Sequence, residues 1–203
     1  KRFNFVGIAP SVEVVHKFSS SSPFTAVDWA THQSQNLGYI AAGHKNGKIS
    51  LFSPEQKSLI STLKVDTSAV RNIQINPNQT AAILSISGEN NVSVWDVSSL
   101  SQGKNISSNL SAPVSTGEIT GATWHKKANC FSIFAACDLT GLTTIWDIRV
   151  GRITHSFADT QFKFPLSDVV FSPTNMAELA TASSDPRNSV VLIWDIRNTG
   201  APV

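Results

Sequence analysis

At 203 residues and a net charge of +2, the chain can hold one sizeable core and shows no charge excess suited to a polyanion partner. Charged residues make up 15% of it, against a typical ~25%, which suits strands and turns better than long surface helices. Its two cysteines, Cys130 and Cys137, lack C-x-x-C spacing and form no disulfide framework, so a reducing compartment is expected.

Residue 1 is Lys and no charged-then-apolar leader follows, so the chain reads as an internal piece. Uninterrupted apolar runs reach only a handful of residues, against about 20 for a membrane helix, and the chain reads as soluble. Sequons at Asn78, Asn91, Asn105 and Asn109 are expected by chance in so Asn- and Ser-rich a sequence, and the one at Asn91 falls in a sheet hairpin.

Phe3-Asn4-Phe5 and the run from Val12 to Phe18 alternate as strands do. With no copy of the later repeat before them, residues 1–18 read as the outer half of a preceding unit. Residues 19–23 are a loop. The first full unit, 26–63, has strands at 26–29, 39–43, 48–52 and 59–63, with Asn46-Gly47 as a hairpin turn because both turn residues accept positive φ. The second, 70–110, has strands at 70–75, 81–86 and 92–95. A long Ser-rich surface loop then hides an outer strand near 106–110. The third, 119–157, has strands at 119–124, 132–137, 142–146 and 153–157. The fourth, 166–203, has strands at 166–171, 179–182 and 190–194 and stops where an outer strand is due.

The third strand of each unit carries the same phrase. It ends in Trp95-Asp96, Trp146-Asp147 and Trp194-Asp195, with a weaker copy at Phe52-Ser53. The spacing of about 40 to 50 residues matches propeller blades of four strands, a (inner) to d (outer). Small residues recur in strand b (Ala41-Ala42, Ala81-Ala82, Ala135-Ala136, Ala180 and Ala182), as close blade packing near an axis requires. The residues closing strand a (Trp29, Ile75, Trp124 and Phe171) are expected to fill the space between blades.

The chain thereby resembles the WD-repeat family over nearly its whole length. That resemblance implies an all-β propeller, here a partial ring of about four blades of four antiparallel strands within a ring of seven. It also implies a buried hydrogen-bonded set of the strand-c Trp, a strand-b Ser or Thr, a turn Asp and a His from a Gly-His pair. Phe52, Trp95, Asp96, Trp146, Asp147, Trp194 and Asp195 match the strand-c positions, and Asp138 and Asp185 match the turn acid. No Gly-His pair precedes a strand a; Val65-Asp66 and Ala158-Asp159 stand there instead, which puts the full network in doubt.

Two blades resemble a narrower group. Val169-Val170-Phe171-Ser172-Pro173, Asp185-Pro186 and Trp194-Asp195-Ile196-Arg197-Asn198 are similar to a mid-ring blade of the amino-terminal propeller in large outer-coat subunits of COPII. Phe24-Thr25-Ala26-Val27-Asp28-Trp29 and Asn46-Gly47-Lys48-Ile49-Ser50-Leu51-Phe52 resemble that propeller's second blade. The resemblance implies a non-catalytic scaffold at cage vertices in ER-to-Golgi transport, on the cytosolic face of ER exit sites and vesicles. Its partners would be other copies of itself, with the small all-propeller outer-coat subunit and the inner coat bound through regions outside this chain. Membrane association would be indirect, through the coat. The alternative is a generic WD-repeat adaptor of ubiquitin-ligase or chromatin type, binding a peptide on its axial face.

No catalytic, cofactor or metal site is expected. His16, His32, His44, His125 and His155 share no motif with one another, the cysteines or paired acids, and read as exposed loop or strand residues. The recurring Asp residues read as strand-end hydrogen bonding, and Lys126-Lys127 as a solvated turn. Nucleic acid is not an expected partner, since the aromatics fall at blade-core positions.

Overall fold

The computed structural model describes residues 14–30, 38–98, 108–113, 117–159, 163–198, 200 and 202. Among the described residues, fifteen strands form four antiparallel sheets. Blade 1 comprises β1 (Phe24–Ala30), β2 (Tyr39–His44), β3 (Lys48–Ser53) and β4 (Ser58–Lys64). Blade 2 comprises β5 (Val70–Ile75), β6 (Ala82–Ser87), β7 (Asn91–Asp96) and β8 (Ser108–Pro113), and blade 3 comprises β9 (Ile119–Trp124), β10 (Ile133–Asp138), β11 (Thr143–Asp147) and β12 (Arg152–Phe157). The described part of blade 4 has three strands: β13 (Leu166–Phe171), β14 (Glu178–Ser183) and β15 (Val191–Asp195). Within each blade the strands pair in chain order, and the first strands of consecutive blades pack against one another.

Period-2 alternation gives every blade two faces. In blade 2, Ile73, Ile75, Ile83 and Trp95 turn toward Ala41, Ile49, Leu51 and Leu63 of blade 1. Its other face turns Leu84, Ile86, Val92 and Val94 toward Trp124, Phe134 and Trp146 of blade 3. A third layer joins Ala135, Cys137 and Ile145 of blade 3 to Val169, Phe171, Leu179 and Trp194 of blade 4. The core is therefore three interblade layers, and the joints come as close as small strand-b residues allow. A Cβ added at Gly43 would stand 2.7 Å from Val70 Cγ1 of the next blade. Gly47 closes the first β2–β3 turn at φ +76°, where a side chain would also run into the Asp66 carbonyl.

The structure moves three sequence expectations. Residues 14–18 form no strand; Phe18 packs instead on Phe52, ring centroids 4.5 Å apart. Phe3-Asn4-Phe5, Val12 and Glu13 lie outside the described residues. The outer strand of blade 2 is Ser108–Pro113, set C-terminal to the expected 106–110 because its ladder with β7 pairs Asn91 with Pro113 and Val94 with Leu110. Trp29 is 52% exposed, since it lies on the face of blade 1 turned away from blade 2, whereas Ile75, Trp124 and Phe171 are buried as expected.

Candidate functional site

The strand-c tryptophans are buried anchors. Trp95 pairs with Ile83 across β6–β7, and its indole N–H donates to Ser85 Oγ at 3.0 Å. Trp194 does the same with Thr181 Oγ1 at 3.0 Å. In blade 3 the matching strand-b position is Ala136, which has no side-chain acceptor, and Trp146 donates to Thr144 Oγ1 on its own strand at 3.2 Å. Phe52 needs no acceptor. Its blade spends the corresponding polar pair on His44 Nε2 and Ser50 Oγ, 2.8 Å apart.

Each Asp after the Trp holds a turn. Asp96 Oδ1 accepts from Ser98 N–H at 2.8 Å, Asp147 Oδ1 from Arg149 N–H at 2.9 Å, and Asp195 Oδ1 from Arg197 N–H at 2.9 Å. Ser53 Oγ, in the weaker copy, accepts from Gln56 N–H at 3.0 Å. Where the phrase continues to Arg, the guanidinium folds back on the same carboxylate, Arg149 Nη2 lying 2.6 Å from Asp147 Oδ2. Those hydrogen bonds hold the Asp147 carboxyl below its ordinary range and bring Asp195, paired with Arg197, down to about 2.

The turn acids close their own hairpins. Asp138 is buried and its Oδ1 accepts from Thr140 N–H at 2.8 Å, Thr140 Oγ1 at 2.7 Å and Leu142 N–H at 3.0 Å, which closes the β10–β11 turn. Asp185 accepts from Arg187 N–H at 2.9 Å in the longer β14–β15 turn. The resemblance led to a set in which these acids join the Trp and a His. The chain distributes that chemistry differently, and Asp66, standing where the Gly-His pair would be, receives Ser87 Oγ at 3.3 Å and Asn91 Nδ2 at 3.4 Å from blade 2.

Two histidines were misjudged as exposed. His44 is buried beneath Phe24, and His125 is buried against Phe171 with ring centroids 4.5 Å apart. His125 Nδ1 accepts from Lys127 N–H at 3.0 Å, and Nε2 lies 3.2 Å from the Met176 carbonyl as its donor. That pattern requires the neutral ring, and burial lowers its pKa below the ordinary 6.5. His125 thus ties blade 3 to blade 4. His32 lies outside the described residues. Cys137 is buried in β10, its thiol raised to about 11 by burial, while Cys130 sits half-buried in a 3-10 turn at Ala128–Cys130.

Sequence reasoning also missed the bonds that join the inner strands. Asp28 Oδ2 of β1 accepts Ile75 N–H of β5 at 2.7 Å, and Gln74 of β5 accepts Trp124 N–H of β9 at 3.4 Å. Trp124 returns its indole N–H to Gln74 O at 3.0 Å. Arg71 donates to Ile119 O at 2.7 Å and pairs with Glu118. The only signal for this was a polar residue just before the strand-closing position, easily read as a solvent-facing residue of an alternating strand.

A cleft of about 490 Å³ opens between β1 and β5, lined by Val27, Asp28, Trp29, Asn72, Gln74 and Lys126 among others. Its one lining carboxylate, Asp28, accepts the N–H groups of Ile75 and Trp29. Among the described residues no three His, Cys, Asp or Glu side chains are placed to hold a metal ion, and no helix is long and apolar enough to cross a membrane. The arrangement can present surfaces and rim loops on a rigid arc.

Four successive sheets whose third strands close on Trp or Phe, the inner strands of the first three bonded to one another, define a WD-type β-propeller arc. No family model matches the chain. It is SEC31-like in sequence: it is 27% identical to the Protein transport protein SEC31 of Kluyveromyces lactis over 98% of its own length, and 28% identical to that of Dictyostelium discoideum over 91%. The chain spans 16% and 15% of those relatives. Among solved structures, a chain of the COPII outer coat vertex on membranes superposes with a TM-score of 0.77 at 23% identity, covering 91% of this chain and 49% of that one. The computationally designed Ika4 protein superposes at 0.69 and 17% identity, covering 92% of this chain and 99% of that one.

Proposed function

We propose that the chain is a non-catalytic scaffold segment of a COPII outer coat, acting where coat cages form during ER-to-Golgi transport. The observation that carries this reading is likeness to SEC31 proteins at 27–28% identity over 98% and 91% of the chain. The superposition on an outer coat vertex chain agrees with it. Rigidity is what a vertex requires, and the buried tryptophans, turn-closing acids and inner-strand bonds supply it. The arc would meet other copies through rim loops, weak contacts that become strong when repeated over a cage. The small outer-coat propeller subunit and the inner coat would bind elsewhere on the full protein, which would lie on the cytosolic face of ER exit sites.

The test is to tag the full protein carrying this chain at its own locus and to image and purify it. Puncta at ER exit sites and co-purification of outer-coat subunits are expected. A diffuse or nuclear distribution, with ubiquitin-ligase or chromatin subunits as co-purifying partners, would overturn the reading in favour of an adaptor.

A further inference from the structure

Blade 3 has a neighbour on each face, so its margin is set by joints the chain itself builds. At one end of its strands lie the β9–β10 loop, 125–132, and the β11–β12 turn, 148–151. Both neighbouring blades pin the loop. Asn76 Nδ2 of blade 2 donates to Phe131 O at 2.5 Å and Asn78 Nδ2 to His125 O at 3.3 Å, while Asn129 Nδ2 lies 3.2 Å from Met176 Sδ of blade 4. The turn is tied to the loop where Ile148 N–H donates to Ser132 O at 2.9 Å. This fixed margin is apolar and cationic together. Phe131 is 40%, Met176 47% and Val150 55% exposed. Beside them stand Lys126, Lys127 and Arg152, none of which forms an ion pair among the described residues. Asp147 is spent on Arg149, whose Nε and Nη2 it accepts, leaving the Nη1 edge of that guanidinium for another acceptor.

We propose that this margin binds an extended, acidic segment of a partner protein in which carboxylates alternate with apolar side chains. The carboxylates meet Lys126, Lys127, Arg152 and the open edge of Arg149, and the apolar side chains lie over Phe131, Val150 and Met176. Charge selects the occupant. A neutral or basic segment leaves these cations unmatched, whereas an acidic one pairs with them and steers its own approach. The whole chain carries only +2, so the imbalance belongs to this margin and not to a uniformly basic surface. The apolar side chains select a peptide over a bilayer. Phe131 and Met176 are each more than half covered, so neither projects as a membrane wedge, yet both offer a surface on which a peptide side chain packs. Because blades 2 and 4 already hold the loop, little ordering cost falls on the binding step.

The inference rests on blade 3 alone and stands apart from the coat reading, which localisation and co-purification test separately. The probe is a fluorescein-labelled peptide alternating Glu with Phe and Val, titrated into the full protein carrying this chain and read by anisotropy. Binding with a Kd on the order of 100 µM or tighter is expected. Val150→Glu should weaken it at least about tenfold by setting a carboxylate among the apolar side chains. Lys126→Glu combined with Lys127→Glu should do the same by reversing the charge. Arg187→Glu, an exposed cation in the β14–β15 turn at the opposite end of the strands, should leave the affinity unchanged. Far-UV circular dichroism of each variant checks that the blades stay folded. Absence of binding overturns the proposal. Equal binding of a Glu-only peptide also overturns it, since that result assigns a surface for any polyanion. Peptide binding indifferent to these variants, with phosphatidylserine vesicle binding lost in them, overturns it in favour of a membrane surface.

Discussion

Blade 2 turns Leu84, Ile86, Val92 and Val94 toward its neighbour, none more than 2% exposed, whereas blade 4 turns Ala180, Ala182, Val191 and Ile193 outward in the same register. Both sets are apolar and both alternate. The difference lies in the neighbour: local sequence encodes a face, and the next sheet makes it core. Blade 4 also carries less apolar area at risk, since its two alanines stand where blade 2 has Leu and Ile.

The sharpest way to break this contrast is at Phe134, which is fully buried between Trp124 and Trp146 with centroids 5.7 and 5.9 Å away. Phe134→Ala should cost about 3–5 kcal/mol in denaturant unfolding. Next is the acceptor under a tryptophan. Ser85→Ala removes the acceptor of the buried Trp95 N–H and should cost about 1–3 kcal/mol. The same measurement on Val94→Ala against Ile193→Ala compares one register position in two surroundings. The first should destabilise by about 1–2 kcal/mol and the second by less than about 0.5. Equal costs would mean that the outward face of blade 4 is covered.

Smaller effects come from titration. His125 is neutral in the folded chain with its pKa lowered, so the unfolded state binds more protons as pH falls below about 6.5. Stability should therefore be full above that pH and decline as pH falls from there through the folded pKa. His125→Gln should flatten that part of the profile, and unchanged slope would show that another group is responsible. The smallest effect is at Asp195: Arg197→Ala should return its carboxyl from about 2 toward the ordinary carboxylate value, read by carboxyl-carbon NMR.

The blades were legible because their code is local. Trp95, Trp146 and Trp194 mark strand c, Gly47 marks a hairpin, and alternation sets register. The fates of His44 and His125 were not, because burial there is created by Phe24 and Phe171 across the fold. Asp28, Gln74 and Arg71 were hidden for the same reason, each finding its partner more than forty residues away in the next blade. The turn role of Asp138 was within reach, since Thr140 and Leu142 follow it at the spacing of an Asp-closed turn.

The bonds from Asp28 to Ile75 and from Gln74 to Trp124 alter what the inner margins of blades 2 and 3 can do. An edge strand ordinarily offers a template to any passing extended chain. With those amides already engaged, the axial margin is a poor template, and its protons at Ile75 and Trp124 should exchange with solvent as slowly as those of a central strand. Strand recruitment at blades 2 and 3 is thereby disfavoured at the axis and left to their outer margins.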